Sequence, residues 1–200
     1  MGLSKGEKTK LRVLECATDL FFEHGIEKVS TRQIATIVGI TQPAIYTHFA
    51  SVEAIILGAV QHWVVEAQTF IDANVVTYGS ANEQLKSMIE QNLIYSFNNQ
   101  KKDALFLALF QLSLRSSVAK QIYEQVMNGG TKRIAILLDR GNRDSSWSVS
   151  DRDDMARAIH NLMLGEIHKL ILSPDEMTLE ARIKHIFSAV DRLLAKAEKE

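Results

Sequence analysis

A single cysteine, Cys16, stands in 200 residues. One thiol builds neither an internal disulfide framework nor a multi-cysteine metal site, and it suits a reducing compartment. Two prolines and ten glycines are too few turn residues for a many-stranded β architecture. Neither charge dominates: 23 Lys and Arg oppose 24 Asp and Glu, a formal −1. Taken whole, that balance argues against a nucleic-acid binder, whose usual footprint is a basic excess. The longest uninterrupted apolar run, Ala104 to Phe110, has seven residues, against about 20 for a membrane span. The start, Met1 to Lys8, is polar and charged, without the apolar core of a signal peptide. Gly6 stands where a myristoylation signal wants Ser or Thr. The expectation is a soluble, cytoplasmic chain with no membrane partner. None of the six histidines has a histidine four residues away, and no P-loop, G-x-G-x-x-G or G-x-S-x-G is present. His160 and His168 share a helix side, but a pair alone is no catalytic site. No metal, no cofactor and no enzyme activity are expected.

What is present is apolar residues at helical spacing almost everywhere. The residues classed as hydrophobic make up 46%, enough for an ordinary core without a disulfide or metal. Leu11, Leu14, Ala17 and Phe21 mark a first helix that ends at His24-Gly25. Ser30 and Gln33 form the S-x-x-Q box that opens a second, with Ile34, Ile37 and Val38 as its apolar face. Gly39 stops it. Thr41 caps a third helix, with Pro43 in its first turn and Ile45 and Phe49 as its buried pair. Ser51 caps a long fourth helix through Ile56, Val60, Trp63, Ala67, Phe70 and Ile71. Five more helices are expected near 82–98, 102–115, 117–140, 150–172 and 178–198, with a break at Gly141 to Ser148. No segment alternates with period two. The fold class is all-α, with nine helices.

Residues 30–49 carry the most information. Two short helices joined by Val38-Gly39-Ile40-Thr41 are the pattern of a helix-turn-helix, whose second helix enters a DNA major groove. Glycine permits the turn that sets the helices near perpendicular, and Ile40 plugs the space between them. Gln42, Ala44, Thr47 and His48 are left on or near the outer face, short side chains of the kind that read base edges and thymine methyls. An ordinary helical hairpin with a glycine turn fits the same residues.

The wider window extends the pattern. It runs Arg-Val-Leu-Glu-Cys-Ala-Thr-Asp-Leu-Phe-Phe-Glu-His-Gly from Arg12, then Val-Ser-Thr-Arg-Gln-Ile-Ala, Val-Gly-Ile-Thr and Ala-Ile-Tyr-Thr-His-Phe. This resembles the TetR family of bacterial transcriptional regulators, closely over the first quarter of the chain and in overall plan beyond it. The resemblance implies a helix-turn-helix DNA-binding domain at 1–51 and a ligand-binding and dimerisation domain at 52–200. It implies that Thr31 and Arg32 open the second helix near a phosphate. Thr41, Gln42, Pro43 and Ala44 start the recognition helix in the groove, and Tyr46, Thr47 and His48 flank it, Tyr46 on a phosphate. Bland alternatives stand beside these: Tyr46 packing, Thr31 only capping, and His48 a structural histidine beside Phe49. The chain departs from the family at Gln42, often lysine, at Pro43, often glycine, and at Val52, often lysine. Two phosphate-directed cations are thus replaced. The expectation is weaker nonspecific affinity and a shallower salt dependence than is usual, with Gln42 instead suited to adenine.

The resemblance makes the remainder a regulatory domain, dimerising through its last two helices. Apolar stripes support this: Ile159, Leu162 and Met163 on one helix, then Ile183, Ile186, Phe187, Val190 and Leu194 on the other. The same stripes also suit the chain's own core. Glu166 falls on the first stripe, where it pairs across a dimer, edges a pocket or leans to water. Candidate effector contacts are Trp63, Phe70, Met88, Asn92, Ser96, Phe106, Phe110, Tyr123 and Met127, each also at home in a core. Such a lining favours an apolar or aromatic effector. The helix holding Ala104 to Leu112 is expected to be buried nearly all round. Gly129-Gly130 is expected to be a kink, a close backbone approach or a break.

Together these residues suggest a homodimeric, effector-responsive repressor on a palindromic duplex operator. The alternative is a helical ligand- or partner-binding module that has lost operator binding. Local charge sharpens the choice. Residues 1–12 carry +3, residues 13–52 carry −2 and the rest −2. The basic excess therefore sits in an N-terminal arm, expected to supply much of the electrostatic affinity.

Overall fold

Three serines start helices by the same device. Ser4, Ser30 and Ser80 each accept the backbone N–H three residues on, and Glu7, Gln33 and Glu83 reach back to the serine N–H. The Ser30 box was expected. The other two are the same S-x-x-E/Q signal, and the Ser4 box changes the picture of the arm. In the computed structural model, which describes residues 2–197 and side chains through 195, α1 runs Lys5–His24. The basic arm is therefore mostly the first two turns of a helix.

The other helices are α2 Thr31–Val38, α3 Gln42–Tyr46, α4 Val52–Asn74, α5 Ala81–Asn98, α6 Gln100–Ser113, α7 Ser117–Asp144, α8 Arg152–Leu172 and α9 Leu179–Ala197. Among the described residues there are nine α-helices and no strand. Residue 198, the expected end of the last helix, lies outside the described residues. Ser51 caps α4 as expected, accepting from Ala54 N–H at 3.1 Å. With 23 residues and an 18-residue stretch of mean hydropathy 1.2, α4 alone among the described helices meets the length and composition of a membrane span. A count of uninterrupted apolar residues missed this, since scattered polar groups break its run. Ile55, Ile56, Ala59, Val60 and Ile71 of α4 are buried in the protein.

The chain divides into two compact units, and each has its own core. The first comprises residues 1–65 and 101–123. Val13, Leu14, Ala17 and Phe21 of α1 are buried there, as are Ile34, Ala35 and Val38 of α2. Ile45, Phe49 and, from α6, Leu105, Phe106, Leu109 and Leu112 join them. Two expectations need correction. Ile37 is not on the apolar face of α2 but 62% exposed, because the buried face follows 34, 35 and 38. Phe110 is 48% exposed, so α6 is not buried all round. The units cut the chain within α4, away from the functional boundary expected after residue 51.

The second unit comprises residues 66–100 and 124–200. Its core joins Leu85, Ile89 and Leu93 of α5, Ile134 and Leu138 of α7, Ile159 and Met163 of α8, and Ile186, Val190 and Leu194 of α9. The α8 and α9 stripes are thus largely enclosed in their own unit, while Leu162 is 38% exposed. Glu166 pairs within the chain: its carboxylate lies 3.0 Å from His185 Nδ1 and 3.5 Å from a nitrogen of Arg182. Arg182 is buried and also donates to the Ser173 and Met177 carbonyls. No apolar pattern could reveal it.

The expected break at Gly141 is absent, since α7 continues to Asp144. The Trp147 ring, folding back from the following loop, lies so close to Gly141 that an added methyl would stand 2.0 Å from it. The Gly129-Gly130 pair lies inside the unbroken α7, and only one of the two is needed. A methyl at Gly130 would stand 2.2 Å from His160 Nε2, whereas one at Gly129 meets nothing within 4 Å. Burial pushes the His160 imidazole below its ordinary value, so the ring is neutral near neutral pH. Thr131 donates to the Met127 carbonyl at 3.1 Å and its oxygen faces His160 Nδ1 at 3.1 Å, which places the proton on Nδ1. Gly129→Ala is therefore expected to raise stability by up to about 1 kcal/mol, and Gly130→Ala to lower it. Paired thermal melts check the opposite signs; two shifts of one sign contradict them.

Candidate nucleic-acid interface

The turn between α2 and α3 is built on Gly39, which adopts the left-handed conformation at φ 73°, ψ 38°. Its N–H returns to the Ala35 and Thr36 carbonyls, and Ile40 N–H bonds Ala35 O at 3.0 Å. Any side chain at 39 would be strained there. Arg12 of α1 donates to the carbonyl of Val38, the last residue of α2. That places a cation where a helix C-terminus favours one.

The third helix is shorter than the expected eight residues. It spans Gln42–Tyr46, and residues 47 and 48 form a turn before Phe49 enters the core. Thr41 occupies the cap position but its side chain makes no capping bond; the cap is its carbonyl, which accepts from Ala44 N–H at 3.0 Å. The Thr41 side chain is exposed, with Pro43 beside it. Ala44 and His48 are half-buried, and Thr47 is exposed with its hydroxyl on the Ala44 carbonyl at 2.7 Å. Arg32 is exposed, while Thr31 is buried. Gln42 Nε2 donates to Thr31 Oγ1 at 2.9 Å, and the Tyr46 hydroxyl lies 3.3 Å from the same oxygen. Tyr46 itself is 52% exposed, so it does not simply pack. Thr41, Pro43, Tyr46 and Thr47 are thus exposed and Gln42, Ala44 and His48 half-buried, while Ile45 enters the core and Thr31 turns inward.

Charge is arranged more sharply than the sequence segments suggest. Lys5 and Lys8 are exposed on the first turns of α1, and Lys10 stands over the Phe49 ring at 5.7 Å. Three acidic residues of α1 and its following turn are engaged in ion pairs: Asp19 and Glu23 with Lys101, and Glu27 with Arg115. Hydrogen bonding to Asp19 raises the Lys101 pKa. The first unit holds ten Lys and Arg against seven Asp and Glu, a net +3, and the second holds thirteen against seventeen, a net −4. A chain total of −1 conceals this separation.

The expected effector contacts fall into two groups. In the first unit Trp63 lies 6.2 Å from Phe106, which stacks on Tyr123 at 5.2 Å, and Phe110 tilts against Tyr123 at 5.7 Å. Trp63 Nε1 donates to Asp103 at 2.8 Å. This buried carboxylate escaped the sequence reading, because a first-turn acid ordinarily sits in water. In the second unit Phe70 packs on Tyr95 at 5.5 Å, Met88 and Ser96 are buried, and Met127 is half-buried. Asn92 donates to the Met88 carbonyl of its own helix at 2.8 Å. Among the described residues no three His, Cys, Asp or Glu are grouped to hold a metal ion.

Residues 13–59 match the family model of the bacterial regulatory proteins, tetR family. Sequence comparison with curated proteins gives no match. Solved structures share the fold. A candidate transcriptional regulator from Pseudomonas aeruginosa PAO1 superposes with a TM-score of 0.85 at 18% identity, over 98% of this chain and 95% of its own. One from Saccharomonospora viridis, in complex with choline, gives 0.82 at 20% identity over 92% and 96%. The fatty acid degradation regulator FadR from Bacillus halodurans gives 0.78 at 15% identity over 95% and 96%.

Proposed function

Because residues 13–59 match the family model of the bacterial regulatory proteins, tetR family, we propose that the chain is a DNA-binding transcriptional regulator of that family. It acts as a homodimeric repressor that releases a palindromic operator when an effector binds. One observation carries the reading: a left-handed glycine turn presents α3, with Thr41, Gln42, Pro43, Ala44, Tyr46, Thr47 and His48, as a surface beside an otherwise packed core. Two such helices, related by a two-fold axis, enter major grooves about 34–36 Å apart. The +3 carried by residues 1–12 supports the reading, while Gln42 and Val52, in place of two phosphate-directed cations, are what favours the alternative of lost operator binding.

For the dimer, the enclosed residues Ile159, Met163, Ile186, Val190 and Leu194 hold the unit together. The partner-facing area falls on the outer side of α8. Leu162 is exposed there, and a methyl at Gly165 would meet nothing within 4 Å. For the effector, the aromatic groups around Trp63, Phe106 and Tyr123 favour an apolar or aromatic molecule. The choline held by one structural relative, and the fatty acid degradation named for another, support a small organic ligand with apolar surface. Operator and effector must weaken each other by the same factor. The fourth helix contributes residues to both units, which suits it as the lever.

Lys5 and Lys8 test the electrostatics without cutting α1. Replacing both by glutamine removes four lysines from the dimer and is expected to lower the slope of log affinity against log salt by roughly 4, at about 0.9 per phosphate contact. Fluorescence anisotropy across a salt series measures it; an unchanged slope removes these lysines from the interface.

A further inference from the structure

The hydroxyl of Thr31 joins the two helices of the motif from within. It is 5% exposed, accepts from Gln42 Nε2 at 2.9 Å and lies 3.3 Å from the Tyr46 hydroxyl. A hydroxyl offers one hydrogen and two lone pairs. The Gln42 nitrogen can only donate, so it occupies a lone pair of Thr31. The Thr31 hydrogen is then free for the Tyr46 oxygen. A Tyr46 hydroxyl that accepts from Thr31 keeps its own hydrogen for an acceptor outside the protein. Tyr46 is half exposed and so can reach one.

The other end of the chain of bonds is equally directed. A primary amide has two N–H groups and one oxygen. With one N–H on Thr31, Gln42 retains one donor and one acceptor, the pair that matches adenine N7 and N6–H in the major groove. An unrestrained glutamine would lose side-chain freedom on binding. One already held by a buried oxygen loses less.

We propose that Thr31 is a positioning residue for sequence recognition: it holds the Gln42 amide to read an adenine and aims the Tyr46 hydroxyl at a neighbouring phosphate. No DNA contact by Thr31 itself is required. The inference rests on the DNA-reading function proposed above.

The test starts from a random duplex pool, from which the full chain selects its preferred element. Anisotropy then gives Kd for that element and for each single base-pair change, with wild type, Thr31→Val, Thr31→Ser, Gln42→Ala and the Thr31→Val/Gln42→Ala pair. Wild type is expected to prefer A·T at one position of each half-site by roughly five- to a hundredfold. Thr31→Val and Gln42→Ala each lose that preference, the double variant loses no more, and Thr31→Ser keeps it. Tyr46→Phe weakens all sequences alike and leaves the preference intact. If Thr31 only stabilises the fold, Thr31→Val lowers the melting temperature and weakens all sequences equally while the adenine preference survives, which overturns the inference. A wild-type chain that enriches no sequence overturns the DNA-reading function itself.

Discussion

Replacing Trp147 by alanine is expected to lower stability by about 3–5 kcal/mol, the largest loss foreseen for a single side chain here. The indole is 4% exposed, and its Nε1 donates to the Leu138 carbonyl at 3.0 Å. It lies against the backbone of Gly141, inside α7. Removing it empties the space beside Gly141 and leaves the loop after α7 without its anchor. The nearby bonds between Asn142 and Val149, 2.8 and 2.9 Å long, depend on the same loop path. For a chain of this size each kcal/mol moves the melting temperature by about 2–4 °C, so a drop on the order of 10 °C follows. Calorimetry checks it, and a shift below about 2 °C would contradict the packing described for Trp147.

Ala44→Asp is expected to weaken DNA binding by at least about a hundredfold while leaving the fold intact. Ala44 lies half-buried on α3, two residues after Gln42 and two before Tyr46. A carboxylate there would face phosphates and acceptor-rich base edges, and like charges juxtaposed in an interface cost several kcal/mol. The cost to the helix itself is no more than about 0.7 kcal/mol. Circular dichroism should therefore stay unchanged as binding disappears. Retained binding would place the interface away from α3.

The helices were legible because their causes are local. Leu14, Ala17 and Phe21 recur at helical spacing and are buried, and Gly25 and Gly39 end α1 and α2 where the sequence places them. Ile45 and Phe49 face the core as their spacing requires. The starts of α1 and α5 were also written locally, in Ser4-x-x-Glu7 and Ser80-x-x-Glu83, but the apolar stripes that mark the helices begin several residues later, at Leu11 and Leu85. Other features depend on what a residue meets far along the chain. Gly141 looks like a helix stop until Trp147 returns over it. Thr31 looks like a helix-start hydroxyl until α3 brings Gln42 and Tyr46 onto it. An apolar stripe tells which face of α8 or α9 avoids water but not what covers it, so Ile159 and Val190 suit a dimer seam or a private core equally. Charge behaved the same way: Asp19 and Glu23 count against DNA binding until Lys101 is seen to pair with both.

The central claim is that this chain reads duplex DNA through the surface of α3. Selection from a random duplex pool at physiological salt, run in parallel with wild type and Ala44→Asp, tests it most directly. The account predicts that wild type enriches one palindromic element with half-sites about one helical turn apart, and that Ala44→Asp enriches none. A wild-type pool indistinguishable from input, or the same element recovered with Ala44→Asp, would contradict it.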